Sequence, residues 1–148
     1  MTTKTETSAL EITRTIKADV KRVYRAWTDP ELMKQWMGCG ESQRVSLTQN
    51  FTVGGNYCIT VKLADERVVQ MFGTFLEIVE NEKLVYSWTN NSEEYPASDT
   101  IVTVVFTPKG NNTEIVLTHS KFDRPIAVQG HSMGWGTSLE RLSALFEQ

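Results

Sequence analysis

Apolar residues recur at every second position through most of this chain, and at every third or fourth in two regions near its ends. In LEITRTI, Leu10, Ile12 and Ile16 alternate with polar neighbours, which predicts a half-buried strand over 10–16. The nine residues before it are polar and Thr-rich and read as a frayed tail. Asp19 is placed to cap a helix whose stripe, Val20, Val23, Tyr24 and Trp27, steps i, i+3, i+4, i+7. Asp29-Pro30 then restarts the chain as cap and first helical residue, predicting a second short helix near 30–36 that offers Leu32, Met33 and Trp36. After GCGE (38–41) the period falls to two. Strands are expected over 45–51, 57–63, 68–79, 84–90, 100–108 and 113–121. They are separated by Gly54-Gly55, ADER (64–67), ENEK (80–83), the polar loop NSEEYPAS (91–98) and the hairpin signal KGNN. Gly73 inside the longest strand marks a bulge or bend. Asp123 and Pro125 open a terminal helix that runs nearly to Gln148.

Strand, two helices, about six further strands and a long helix contain no βαβ alternation, so a parallel sheet is not expected. Short turns between consecutive strands predict an antiparallel meander. The reading is one α+β domain over 10–148 behind a polar tail at 1–9. The terminal helix then raises a question, because Gly130, Gly134 and Gly136 crowd around Trp135. Each glycine inside a helix costs about 0.5–1 kcal/mol relative to Ala. On a wheel of about 100° per residue, Val128, Trp135, Leu139, Leu142 and Phe146 form one apolar face, with His131 beside it. Gly134 and Gly136 flank the indole, and Ser132 and Ser138 lie to either side of it. The C-terminal half is a plain apolar stripe. The N-terminal half puts Trp, His and small residues where solid packing would want Leu. Two readings stay open: this half lids a cavity, or bulky sheet residues fill the gaps.

Composition narrows the classes. The 148 residues suffice for a core without staples. Fifteen Lys+Arg against 18 Asp+Glu give a net charge of −3, which speaks against nucleic acid as the main partner. The run Arg14, Lys17, Lys21, Arg22 and Arg25 reads as a solvated helix face. Cys39 and Cys58 fit no zinc spacing; a disulfide between them is allowed but not implied, and lone thiols suit a reducing compartment slightly better. MTTKTETSALEIT lacks the apolar core of a signal peptide, and no run reaches the roughly 18 apolar residues of a membrane span. The expectation is a cytoplasmic protein with no membrane partner.

Four segments, VKRVYRAWTDPELMKQW (20–36), VGGNY (53–57), GTFLEIVENEKLVYSW (73–88) and GWGTSLERLSALFE (134–147), resemble the family named for the activator of the heat-shock-protein-90 ATPase, a branch of the START-like, birch-pollen-allergen-like SRPBCC superfamily. The resemblance covers about residues 10 to 147. It implies a helix-grip fold: a curved antiparallel sheet of about six or seven strands around a long C-terminal helix, with two short helices after the first strand and a cavity between sheet and helix. Proteins of the superfamily include lipid and hormone carriers, polyketide aromatases and cyclases, and co-chaperones, and no shared catalytic motif can be carried onto this chain. A homodimer is compatible with the resemblance, though no residue pattern here selects it. Relatives often carry an acidic residue before the Gly-Gly turn; this chain has TQNFTVGG, with Asn50 in that region.

Such a cavity would be lined from the inward strand faces, the second helix and the terminal helix. The candidates are Trp36, Met37, Tyr57, Ile59, Met71, Phe75, Tyr86, Trp88, Val104, Phe106, Leu117, His119, His131 and Trp135. Tyr and Trp bring polar handles that need partners. His119 shares the face of Ile115 and Leu117, and His131 points at the same space. Two histidines beside a pocket suit acid–base work near neutral pH, or serve as hydrogen-bonded core residues. No metal site is expected from two histidines without suitably spaced carboxylates. Nothing calls for a cofactor: VGGN is a turn rather than a phosphate loop, and no Gly-x-Ser-x-Gly elbow or Cys/His signature is present. Cys58 should face outward, and Glu93-Glu94 reads as solvating its loop. Three functions follow in order: a binding protein for a small apolar or aromatic molecule, a co-chaperone-like regulator of a heat-shock ATPase, and a cyclase- or hydrolase-type enzyme using cavity His or Tyr.

Overall fold

A computed structural model describes residues 2–5, 8–37 and 42–147. Its elements run β1 (Thr2–Thr5), β2 (Leu10–Ile16), α1 (Val20–Thr28), α2 (Pro30–Trp36), β3 (Ser42–Gln49), β4 (Asn56–Leu63), β5 (Val68–Val79), β6 (Lys83–Asn90), β7 (Thr100–Lys109), β8 (Asn112–Ser120) and α3 (Pro125–Leu145). Both short helices start as their sequence dictates. The Asp19 carboxylate accepts from the Arg22 amide at 2.9 Å, and that of Asp29 from the Glu31 amide at 2.9 Å, with Pro30 in the first turn. The terminal helix differs. Its N-cap is Arg124, which makes no side-chain cap bond, and Pro125 alone gives the start signal expected of Asp123 and Pro125 together.

The strands form one antiparallel sheet in the order β1-β2-β8-β7-β6-β5-β4-β3. Strands β3 to β8 are the meander the alternation predicts. Strand β2 pairs with β8, and the two short helices carry the chain from β2 to the far edge, where β3 begins. The α+β helix-grip expectation holds. The sheet has one strand more than six or seven because Thr2–Thr5, read as tail, pairs with β2 in the register Thr2↔Thr13 to Thr5↔Leu10. Threonine is a strand former, and the free edge of β2 offers unpaired backbone groups. Residues 38–41, Cys39 among them, lie outside the described residues; Cys58 is a free thiol.

Alternation sets the inner face strictly. Leu84, Tyr86 and Trp88 of β6, Val102, Val104 and Phe106 of β7, and Ile115, Leu117 and His119 of β8 are all buried. Each fully buried aliphatic or Phe side chain contributes about 1.5–3 kcal/mol. The irregularity in β5 falls between Phe75 and Glu77, past Gly73, so Met71 and Phe75 both keep their inward phase. Gly73 instead marks a close approach: a Cβ there would overlap the Ser87 carbonyl oxygen, and the Ser87 hydroxyl takes the Thr74 amide at 2.9 Å. Helix α3 buries Ala127, Val128, Trp135, Ser138, Leu139 and Leu142, and it packs on β1, β2 and α2. Among the described residues, no helix is long and apolar enough to cross a membrane.

Candidate functional site

Between the N-terminal half of α3 and the β4–β6 side of the sheet lies a pocket of about 470 Å³. Its floor and walls are apolar: Met37 after α2, Ile59 and Leu63 of β4, Val69 and Met71 of β5, and the indoles of Trp88 and Trp135. Its mouth is formed by the β4–β5 turn, with Asp65 and Arg67, and by the loop after β6, with Ser92, Glu94 and Tyr95. This volume is within the range of small-molecule sites.

The glycines of α3 explain where the space comes from, and they do not act alike. Gly134 lines the pocket, and a Cβ built there meets nothing within 4 Å. Its missing side chain is therefore part of the cavity. Gly130 is crowded, because a Cβ there would overlap the Tyr95 ring. That glycine lets the loop after β6 lay an aromatic ring against the helix at the pocket mouth. Gly136 has open space around it and lies off the lining.

The polar atoms of the inner wall are paired with one another. An indole N–H can only donate, so each tryptophan fixes the tautomer of the histidine it touches. Trp135 Nε1 donates to His119 Nδ1 at 3.0 Å, which puts the His119 proton on Nε2, facing the Thr100 hydroxyl at 2.8 Å. The Thr100 hydroxyl in turn donates to the Trp88 carbonyl at 2.6 Å. His131 takes the opposite tautomer. Its Nδ1 lies 2.8 Å from the Ala127 carbonyl and must carry the proton, so Nε2 accepts from Trp88 Nε1 and from Asn90 Nδ2, each at 3.2 Å. Asn90 also donates to the Tyr95 carbonyl at 3.0 Å, while its oxygen accepts from the Ser92 and Ala97 amides. Asn90 thus ties the mouth loop to His131.

Burial holds both imidazoles neutral. His119 is wholly buried, and desolvation, followed by the neighbouring His131, pushes its pKa well below the ordinary 6.5. Desolvation also lowers His131, against the opposing pull of the Ala127 carbonyl. The Tyr57 and Tyr86 hydroxyls are pushed far up by burial. Tyr57 donates to the Ser87 carbonyl at 2.6 Å, and Tyr86 accepts from Trp27 Nε1 at 3.4 Å. A general acid or base needs a nitrogen or oxygen that can face a substrate. The His119 and His131 ring nitrogens already face protein groups.

Of the fourteen residues expected to line a cavity, Met37, Ile59, Met71, Trp88, His131 and Trp135 surround this pocket. Tyr57, Phe75 and Tyr86, again with Met37 and Ile59, surround a second space of only about 10 Å³. Trp36, Val104, Phe106, Leu117 and His119 line neither and pack in the core. Asn90, Tyr95 and Glu94 were not on that roster. Asn90 ends its strand and the other two sit in a polar loop, so only the docking of Tyr95 on Gly130 would have signalled them. Asn50 is exposed in the turn after β3 and takes no part in the lining. Among the described residues no group of three or more His, Cys, Asp or Glu is placed to hold a metal ion.

The family model described as "Activator of Hsp90 ATPase homolog 1-like protein" matches residues 17–147. The chain belongs to this family. Solved structures of other bacterial proteins share the fold. A protein from Chromobacterium violaceum is 24% identical, covering 95% of this chain and 99% of its own, with a TM-score of 0.82. One from Arthrobacter aurescens is 23% identical, covering 98% and 90%, with a TM-score of 0.83. An uncharacterised protein from Rhizobium leguminosarum is 25% identical, covering 99% of both chains, with a TM-score of 0.82. No curated protein matches the chain.

Proposed function

We propose that this Hsp90-activator-like protein binds a small apolar or aromatic molecule between α3 and the sheet, and does not transform it. One observation carries the reading. A space of about 470 Å³ is walled by apolar and aromatic side chains whose polar handles are spent on one another. Such a wall offers contact area and exclusion of water, and it offers no nitrogen to move a proton. The acid–base use of His119 or His131 loses its support for that reason. The family name also suggests a chaperone partner, but no feature of the described surface selects one. A cytoplasmic setting suits the free thiol of Cys58.

The test is native mass spectrometry of the purified protein, followed by denaturation and analysis of what is released. An apolar compound at defined stoichiometry is expected. Gly134→Leu, which places a side chain in the open space beside Trp135, should lose that compound while remaining folded. Retention of the compound by the folded Gly134→Leu protein would place it elsewhere and sink the proposal.

A further inference from the structure

The pocket has two ends of different chemistry. At the inner end, Trp88 and Trp135 stand with ring centroids 5.2 Å apart, and both indole N–H groups are consumed by histidines. Both nitrogens of His131 and both ends of the Asn90 amide are consumed as well. Ser138 is also engaged. A ligand hydroxyl, amine or carboxylate pushed to this end would lose its water and find no partner, which costs about 1–3 kcal/mol. An aromatic ring costs nothing there and finds indole faces to lie against.

The mouth carries formal charge. Arg67 is tied back to Asp65, Nε to Oδ2 at 2.7 Å, so this pair is close to neutral from the ligand's side. Glu94, across the mouth, forms no salt bridge among the described residues; the Tyr95 hydroxyl lies within its reach. One carboxylate therefore remains uncompensated at the rim of an aromatic cavity.

We infer that the pocket takes an amphipathic aromatic cation: the ring lies innermost against Trp88 and Trp135, and a positively charged group such as an ammonium rests at the mouth beside Glu94. This rests on the binding function proposed above and names the class of molecule it would serve. The closed inner wall forces any polar group of such a ligand to the mouth, where Glu94 at the rim disfavours a carboxylate of the same size.

The experiment compares three probes that share one ring: naphthylethylamine, naphthylethanol and naphthylacetate. Affinities are measured by calorimetry at low salt, with the indole N–H resonances of Trp88 and Trp135 followed by NMR. The amine should bind about tenfold more tightly than the carboxylate, with the alcohol between, as expected for a rim charge a few ångströms away. The difference should shrink as salt rises. In Glu94→Gln it should fall to within about threefold. All binding probes should shift both indole resonances. A carboxylate that binds as tightly as the amine, or a preference unchanged in Glu94→Gln, overturns the cation assignment while leaving the binding function intact. Failure of all three probes to bind the wild-type protein overturns both.

Discussion

The four tryptophans of this chain each found an acceptor for the indole N–H, and the choice of acceptor shapes the site. Trp36 uses the Ala26 carbonyl and Trp27 the Tyr86 hydroxyl, which are core solutions. Trp88 and Trp135 use His131 and His119, which need to be neutral to accept. This makes stability depend on pH. Both histidines have a lower pKa folded than the 6.5 of a free side chain, so below that value the unfolded chain binds protons that the folded chain refuses. Their contribution is fully present above the unfolded pKa and drains away as pH falls below it. Each contributes a slope of up to about 1.4 kcal/mol per pH unit in the window between its two pKa values. Urea unfolding from about pH 7 down to about pH 5, a range above most carboxylate titration, should show stability flat at first and then falling. A flat profile to pH 5 would mean that neither imidazole is held neutral. In NMR titration, both rings should protonate at lower pH than a free imidazole, with the neutral-form proton on Nε2 in His119 and on Nδ1 in His131.

At the scale of the element, α3 answers why a helix begins with three glycines around a tryptophan. Gly130 and Gly134 look alike in the sequence and should behave in opposite ways. Gly134→Ala adds a Cβ in open space and removes backbone entropy from the unfolded chain, so it should raise stability by about 0.5–1 kcal/mol. Gly130→Ala meets the Tyr95 ring, so the same helical gain is offset by expelling that ring, and the amides of residues 92–97 should exchange faster with solvent. Equal stabilisation by both substitutions, with unchanged exchange in the loop, would show that Tyr95 is not held by Gly130. The contrast also shows what was readable beforehand. The stripe Val128, Trp135, Leu139 and Leu142 was legible, since periodicity of a single element decides it. So were Met37, Ile59, Met71, Trp88, His131 and Trp135 as neighbours of one space. Local period could not say that Val104, Phe106, Leu117 and His119, on the same inner face, lie away from the pocket. That depends on where α3 touches the sheet and where it stands off. Strand β1 was missed because four polar residues carry no alternation; its formation depends on the waiting edge of β2.

At the scale of the molecule, α3 packs on β1 and β2 and closes one side of the structure, and the β4–β6 side is left with a space. An unfilled pocket of about 470 Å³ forfeits the packing that its lining would otherwise make, so the ligand and the fold are energetically linked. Any molecule that binds only the folded chain stabilises it by mass action, by about 2.7 kcal/mol at a hundred times its dissociation constant. For a chain of this length that is a rise in Tm of roughly 5–10 °C. Naphthylethanol, which carries no charge, isolates this effect from the electrostatics of the mouth. It should raise the Tm of the wild-type protein with increasing concentration and give no shift in Gly134→Leu, whose own Tm should start no lower than wild type. The two halves of that result answer different questions. A ligand-dependent rise in wild type shows that the pocket is open to an aromatic guest. Its loss in a variant that is itself stable shows that the guest and the Gly134 gap occupy the same space. An undiminished shift in Gly134→Leu would separate the pocket from the binding, and would turn attention to the outer surface that a protein partner would use.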